Sequence, residues 1–409
     1  MSKVLAINGG EPILKKPLEP FPHYLGAEEE EAVLRVVRSG TLSDFVADPK
    51  NFLGGREVQR LEREFCKKFK IKFAVTFNSA TTALHGALVA LKIGSGDEVI
   101  VPPYTMSATA SAILMAGATP VFADISEQDF CLDPRSVKEQ ITKRTRALMV
   151  VNLFGGPAEF NELLKIARTH NLKIIEDNAQ APGAMYCGQF TGTIGDVGVF
   201  SLNTHKVIQC GEGGVLVTND EESALRARLV RNHGEAVVEK LGEGKHTDIL
   251  GSNYRMTELQ AAVGAAQLRK LGMLNVRANE LAGYLTEKLK TVPGLIPPIF
   301  DERRKHVFYV YPIRVTEEFG VPRDKFADAM TAEGFFMHKG YIKPLYHLPL
   351  FKKYASDCPV VERMFERELT YTAVCKYPNV RGHIDLFIAA VKKILDNRGE
   401  LNESSNQRV

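Results

Sequence analysis

Residues 73–125 read FAVTFNSATTALHGALVALKIGSGDEVIVPPYTMSATASAILMAGATPVFADI. Three apolar runs, FAVTF (73–77), EVIVP (98–102) and PVFADI (120–125), are separated by two helical patterns, TTALHGALVALK (81–92) and ATASAILMAG (108–117). The runs are rich in Val, Ile and Phe and do not alternate strictly, as expected of strands covered on both faces. The pattern continues outward through ALMVVNLF (147–154), LKIIED (172–177), VGVFSL (197–202) and GVLVTND (214–220), with DPRSVKEQI (133–141) and NELLKIARTH (161–170) as further helices. Asp133 suits an N-cap and Pro134 the first helical turn. Seven such runs predict an α/β fold with a mostly parallel seven-stranded sheet between helices. In open α/β sheets ligands bind beyond the carboxyl ends of the strands. The residues after each run are therefore the candidates: 78–82, 103–105, Asn152, 177–180 and 201–206.

After residue 256 the pattern changes. A long helical stretch (257–291) leads to strand-like FYVYPIRV (308–315) and FFMHKGY (335–341), and to helical RDKFADAMTAEG (323–334) and HIDLFIAAVKKIL (383–395). A chain of 409 residues exceeds the roughly 250–300 at which single cores divide. The expected organisation is a large α/β domain with an N-terminal arm (1–256), a linking helix and small α+β domain (257–398), and a disordered tail (399–409).

Hydrophobic residues make up 44% and charged residues 25%, with a net charge of +3. That is the balance of a soluble globular protein and favours neither nucleic acid nor a membrane surface as partner. Six cysteines without a C-x-x-C pair read as reduced thiols. The histidines are dispersed, without H-E-x-x-H, so no metal is expected. There is no G-x-S-x-G elbow and no phosphate-binding G-x-x-x-x-G-K-[ST]. The first residues lack a signal-peptide core, and no apolar run reaches the roughly 18–20 residues of a membrane span. A cytoplasmic protein is expected.

FSLNTHKVIQCGEGGVLVTND (200–220) sets Lys206 five residues before Gly211-Glu212-Gly213-Gly214. A lysine amine beside a cofactor aldehyde forms a Schiff base, and partial desolvation favours the reactive neutral amine. The glycines would let backbone pass close to a planar cofactor. Taken alone, a surface lysine beside a turn is the commoner reading. IIEDNAQAPGA (174–184) ends a strand with two carboxylates. In the place of Asp177 a carboxylate can keep a pyridine nitrogen protonated and make the ring an electron sink. A turn-capping carboxylate is the commoner outcome for an isolated pair, and a ribose-binding acid would need an upstream G-x-G-x-x-G, which is missing. In FNSATTALHGAL (77–88), N–H groups at a helix start make an anion site to which Thr81 or Thr82 can add a hydroxyl; plain capping by Ser79 or Thr81 uses the same physics. Together the segments line up a phosphate cradle, an acid for a ring nitrogen, a lysine and a glycine bed on successive strand ends.

These segments resemble the DegT/DnrJ/EryC1/StrS family of sugar aminotransferases over roughly residues 5–395. The resemblance is carried by AINGGEPI (6–13), the stretch 96–125, EDNAQA (176–181), S-x-x-x-x-K-x(4)-G-E-G-G (201–214), RNHGE (231–235) and LGSNYRMTELQAAVGAAQL (250–268). It implies the aspartate aminotransferase-like fold, type I among pyridoxal phosphate enzymes, and a homodimer with shared active sites. It also implies pyridoxal phosphate on Lys206, with pyridoxamine phosphate as its amino form. Asp177 then pairs with the pyridine nitrogen and Gln180 approaches the ring hydroxyl. Ala80, Thr81 and Ser201 bind the phosphate, and Asn253 reaches it from the partner subunit. Ala80 stands where the family usually has Gly. Met106 stands where an aromatic usually stacks on the ring; a thioether packs on a π face, and Tyr104 is the alternative. Residues 43–53 look like an insertion at the substrate mouth. The implied reaction moves an amino group from glutamate or glutamine to a keto sugar, most naturally a nucleotide-linked one. A keto-cyclitol acceptor is the alternative. Dehydrating relatives carry histidine in place of the lysine, and a non-catalytic regulatory relative would not need Lys206, Asp177 and Ser201 together.

Overall fold

The computed structural model describes residues 4–19, 24–45, 51–234, 249–299 and 301–403. All seven apolar runs become strands of one sheet: β1 (Phe73–Phe77), β2 (Glu98–Val101), β3 (Thr119–Phe122), β4 (Thr145–Val151), β5 (Lys173–Asp177), β8 (Val197–Ser201) and β9 (Gly214–Thr218). The short β6 (Met185–Tyr186) and β7 (Gln189–Phe190) lie between β5 and β8 in sequence. The sheet order is β1-β9-β8-β5-β4-β2-β3. Only β9 runs antiparallel to its neighbours. Strands β2, β8 and β9 are buried along their whole length, which explains their continuous apolar character. Helices Ala80–Ala90, Ser107–Met115, Pro134–Gln140 and Phe160–His170 fall where the periodicity puts them. Asp133 caps the third, accepting from the Arg135 N–H.

The second unit holds β10 (Leu295–Ile296), β11 (Arg304–Lys305), β12 (Tyr311–Val315), β13 (His338–Lys339) and β14 (Leu369–Thr372). Four of these form an antiparallel sheet in the order β10-β12-β14-β13, while β11 pairs with β6. The strand expected over 308–315 starts only at Tyr311, because Phe308 sits at φ 48° and breaks the extension. The strand expected over 335–341 shrinks to two residues between Gly334 and Gly340, both at positive φ. The inner strand β14 had no sequence signal. Its four residues are strand because β12 and β13 bond to it on both sides.

The linking helix Glu258–Leu289 begins with a capping box, Thr257 and Gln260 each bonding the other's backbone N–H. Ala261 to Leu274 of this helix pack with Val58, Leu61 and Phe65 of the large unit, and Ala278 to Leu289 with the second core. The N-terminal arm, assigned from the sequence to the large domain, packs instead on the second core. Leu5 is buried there. Buried Glu333 accepts from the N–H groups of Ala6 (2.8 Å) and Ile13 (3.0 Å) and pairs with Lys393 at 2.8 Å. The tail also departs from expectation. Residues Arg398–Glu403 are helical, with Leu401 buried and its carbonyl accepting from Lys325 Nζ at 2.6 Å. Residues 404–409 of that expected tail lie outside the described residues, as do 46–50 of the 43–53 segment. Among the described residues no helix is long and apolar enough to cross a membrane.

Candidate active site

Strand β5 delivers two adjacent carboxylates to opposite faces of the sheet, and the competing readings of the E-D pair divide between them. Glu176 is the turn-capping acid: it accepts from the N–H groups of Gly192 (2.6 Å), Ile194 (2.6 Å) and Gly195 (2.7 Å). Asp177 faces the candidate site. It accepts from the Ala179 N–H at 3.1 Å and from Thr109 Oγ1 at 3.0 Å. Burial pushes the Asp177 carboxyl up, against those two hydrogen bonds and the nearby Lys206 ammonium. A cationic ring nitrogen is the partner such a carboxylate lacks. Thr109 went unnoticed in the sequence. Its only signal was its place on the helix after β2, one turn past Thr105, whose hydroxyl it meets at 3.1 Å.

Lys206 sits on an excursion between β8 and β9. The Leu202 N–H bonds the Gly213 carbonyl and the Cys210 N–H bonds the Leu202 carbonyl, each at 2.9 Å, which closes the loop at its base. The half-buried Nζ lies 5.0 Å from the centre of the Tyr309 ring. Burial lowers its pKa to about 8, with the Asp177 carboxylate opposing. A substantial fraction of the amine is therefore neutral near pH 8, as a nucleophile or base requires.

The anion cradle lies at the start of helix Ala80–Ala90. Ser79 caps the helix by accepting from the Thr82 N–H at 3.1 Å. The first-turn N–H groups of Ala80 and Thr81 have no carbonyl a turn back and face outward from the helix end. Ala80 is itself the first helical residue and keeps a negative φ, so alanine fits where the family usually has glycine. Buried Ser201 ends β8 in register with Gly214, and Gly214 pairs with Phe77 on its other side. A Cβ on Gly214 would stand 2.4 Å from the Ser79 carbonyl oxygen and 2.6 Å from the Ala80 nitrogen. The glycine bed thus works differently from expectation at this position. Gly214 lets protein backbone, not cofactor, come close, and so sets Ser201 beside the helix start. Gly214→Ala should lower stability by about 1–3 kcal/mol through overpacking and weaken pyridoxal phosphate binding more than donor binding. Thermal melts and cofactor titration check this; unchanged cofactor affinity would refute it.

Gln180 Oε1 accepts from the Phe154 N–H and Nε2 donates to Tyr341 Oη, both at 2.8 Å. The second Nε2 hydrogen remains for a ligand. Of the two stacking candidates, Tyr104 is fully buried and its Oη accepts from the Tyr341 N–H at 2.7 Å. It has no free ring face. Met106, just before helix Ser107–Met115, is 49% exposed. Asn253 is exposed in the loop before the linking helix. Its carbonyl accepts from Asn78 Nδ2 of its own chain at 3.4 Å, and its Oδ1 from Arg255 Nε at 2.9 Å. Among the described residues no cluster of three or more metal-ligating side chains occurs. An anion cradle, a buried acid and a partly neutral lysine at the carboxyl ends of β1, β5 and β8 fit pyridoxal phosphate, whose phosphate, ring nitrogen and aldehyde need those three partners.

The comparisons with known proteins agree. The DegT/DnrJ/EryC1/StrS aminotransferase family model matches residues 27–376. GDP-perosamine synthase of Caulobacter vibrioides is 37% identical, covering 74% of this chain and 81% of its own length. L-glutamine:scyllo-inosose aminotransferase of Streptomyces griseus is 34% identical, covering 89% and 88%. The crystal structure of S. venezuelae DesV in complex with a ketimine intermediate matches with a TM-score of 0.80 at 34% identity, over 90% of this chain and 94% of that one. The chain belongs to the DegT/DnrJ/EryC1/StrS aminotransferase family and is a pyridoxal phosphate enzyme of fold type I.

Proposed function

We propose that this enzyme moves an amino group from glutamate or glutamine to a nucleotide-linked keto sugar. The observation that carries the reading is that Asp177 and Lys206 stand near enough at the strand ends to influence each other's charge, with the cradle of Ala80, Thr81 and Ser201 at the ends of neighbouring strands. Bound there, pyridoxal phosphate supplies a covalent hold on amines and an electron sink for the pair left when a carbon loses its proton. The rest falls to the chain. Ala80 and Thr81 N–H groups and the Ser201 hydroxyl hold the phosphate. Asp177 holds the proton on the ring nitrogen, itself oriented by Thr109 and Ala179. Gln180 reaches the ring hydroxyl and Met106 covers a ring face. Lys206 Nζ takes the proton from the donor carbon and, in the second half of the cycle, gives one to the acceptor carbon. Similarity to the scyllo-inosose aminotransferase favours a second reading, a keto-cyclitol acceptor. A panel of nucleotide-linked keto sugars and keto-cyclitols, each with glutamate and glutamine and read by mass spectrometry, decides between them. Amination of neither class would overturn both.

We further propose a homodimer in which Asn253 serves the partner's phosphate site. A dianionic phosphate calls for more donors than Ala80, Thr81 and Ser201 supply, and Asn253 is exposed. Its contact with Asn78 of the same chain supports the opposite reading, so the test must separate the two. Lys206→Ala and Asn253→Asp chains, each nearly inactive alone, are co-expressed. With shared sites, a heterodimer gathers both lesions in one site and leaves the other whole, restoring about half of the normal activity. No recovery would mean that Asn253 serves its own chain.

A further inference from the structure

Tyr104, one of the two stacking candidates, instead holds a second phenol at the site, Tyr341, to which no motif pointed. Tyr341 follows β13 of the second unit. The Gly340 N–H bonds the Leu369 carbonyl at 2.8 Å, and the Tyr341 N–H bonds Tyr104 Oη at 2.7 Å. Tyr104 itself follows β2, so this turn is fastened to the carboxyl edge of the large sheet. The rings of Phe154, Tyr104 and Tyr371 pack around the half-buried Tyr341 ring, with centres 5.2, 5.8 and 6.0 Å away. Its hydroxyl meets Gln180.

The direction of each proton follows from the donors present. A backbone N–H only donates, so the Gln180 amide atom that meets the Phe154 N–H at 2.8 Å is the oxygen. The other amide atom is then the NH2 group, which donates to Tyr341 Oη at 2.8 Å. A phenol that accepts still has its own proton to give, and no hydrogen bond from Tyr341 Oη to another side chain occurs among the described residues. Gln180 likewise keeps one Nε2 hydrogen. Two donors bonded to each other thus each hold an unused proton, within the field of the Asp177 carboxylate. We propose that Tyr341 is a cofactor-binding residue: beside Gln180, it donates its hydroxyl proton to the ring-hydroxyl oxygen of pyridoxal phosphate. The inference rests on Gln180 reaching that oxygen. Two donors on one oxygen favour its deprotonated form. Burial pushes the Tyr341 phenol up to about 12, Asp177 acts in the same direction and the Gln180 donor opposes them, so the phenol keeps the proton it donates. The other titratable groups around it are the phenols of Tyr104, Tyr309 and Tyr371, all raised by burial. Lys206 Nζ lies over the Tyr309 ring.

The test is a spectrophotometric pH titration of the cofactor band in the holoenzyme. Tyr341→Phe keeps the ring and the N–H bond to Tyr104 and removes only the hydroxyl. The band midpoint should rise by roughly one pH unit or more, the size of a lost hydrogen bond to a charged oxygen. Tyr371→Phe removes a neighbouring phenol that does not bond Gln180 and should leave the midpoint in place. The inference is overturned if Tyr341→Phe keeps the wild-type midpoint, or if Tyr371→Phe moves it as far. Direct donation is separated from an effect through Gln180 by the double variant. In a Gln180→Leu background, Tyr341→Phe should raise the midpoint further; no additional shift would mean that the phenol only orients Gln180, which overturns the direct bond. Gln180→Leu alone tests the reading beneath. An unmoved midpoint there takes Gln180 away from the ring hydroxyl and this inference with it. A shift in Gln180→Leu without one in Tyr341→Phe overturns this inference alone.

Discussion

Lys206→Ala should lower turnover by roughly 10⁴-fold or more, because in the proposed mechanism one amine both holds the cofactor and moves the proton. Residues that act through the same atom do not lose their effects separately. Cofactor affinity should fall far less. The variant leaves the Ala80–Thr81 helix start and Ser201 untouched, so phosphate recognition survives. Borohydride reduction of the wild type followed by peptide mapping should place the pyridoxyl group on Lys206, and a label on Lys376 or any other lysine would sink the assignment. A stability signature accompanies the loss. Folding lowers the Lys206 pKa from its ordinary 10.5 to about 8. Between these values the unfolded chain holds a proton that the folded chain has released, so this group makes stability rise with pH across that window and costs stability below it. Without cofactor, Lys206→Ala should therefore melt higher than the wild type at pH 7, with the gap closing above pH 10. An active site that stores this strain gives up stability for reactivity.

Asp177→Asn should lower kcat by roughly 10²- to 10³-fold, the size of effect that follows loss of one preorganised charge partner at a reacting centre. The substitution is nearly isosteric. Asn keeps an oxygen to accept from the Ala179 N–H, which Asp177 accepts at 3.1 Å, so a turn-capping role would survive it. Loss of the negative charge would not: the ring nitrogen then loses its proton and the electron sink weakens. The proton transfer should become rate-limiting. A donor deuterated at its reacting carbon should thus show a larger isotope effect in the variant than in the wild type, while donor KM changes little. Near-normal turnover would reduce Asp177 to a structural acid like Glu176.

The candidate positions were legible because each is written locally. A lysine after a strand, an acid at a strand end and hydroxyls before a helix are patterns of a few residues, and the parallel strands, all but β9, put their carboxyl ends on one edge. The strand ends of β1, β5 and β8 therefore converge without any further instruction from the sequence. Local periodicity likewise announced the seven strands and the linking helix, whose buried residues recur at helical spacing from Ala261 to Leu289. Neighbouring residues of the same type could not be told apart in this way. Nothing in the letters E and D says that Glu176 caps the 192–195 turn while Asp177 faces the site; strand pleat and the opposing backbone decide that.

The sequence by itself determined the fold class, the order of the strands along the chain and the residues at their carboxyl ends, because hydrophobic period and turn chemistry act between neighbours. Tertiary structure alone decided the rest. Leu369–Thr372 became a strand because two other strands bond to it. The N-terminal arm joined the second core because the buried carboxylate of Glu333, more than 300 residues away, needs its N–H groups. Tyr104 was withdrawn into the interior, leaving Met106 exposed, and Lys376 was carried from the far end of the chain to the ring that Lys206 occupies. Each of these outcomes depends on desolvating a polar group or pairing a backbone across a long sequence separation, and such free energies exist only once the chain is packed.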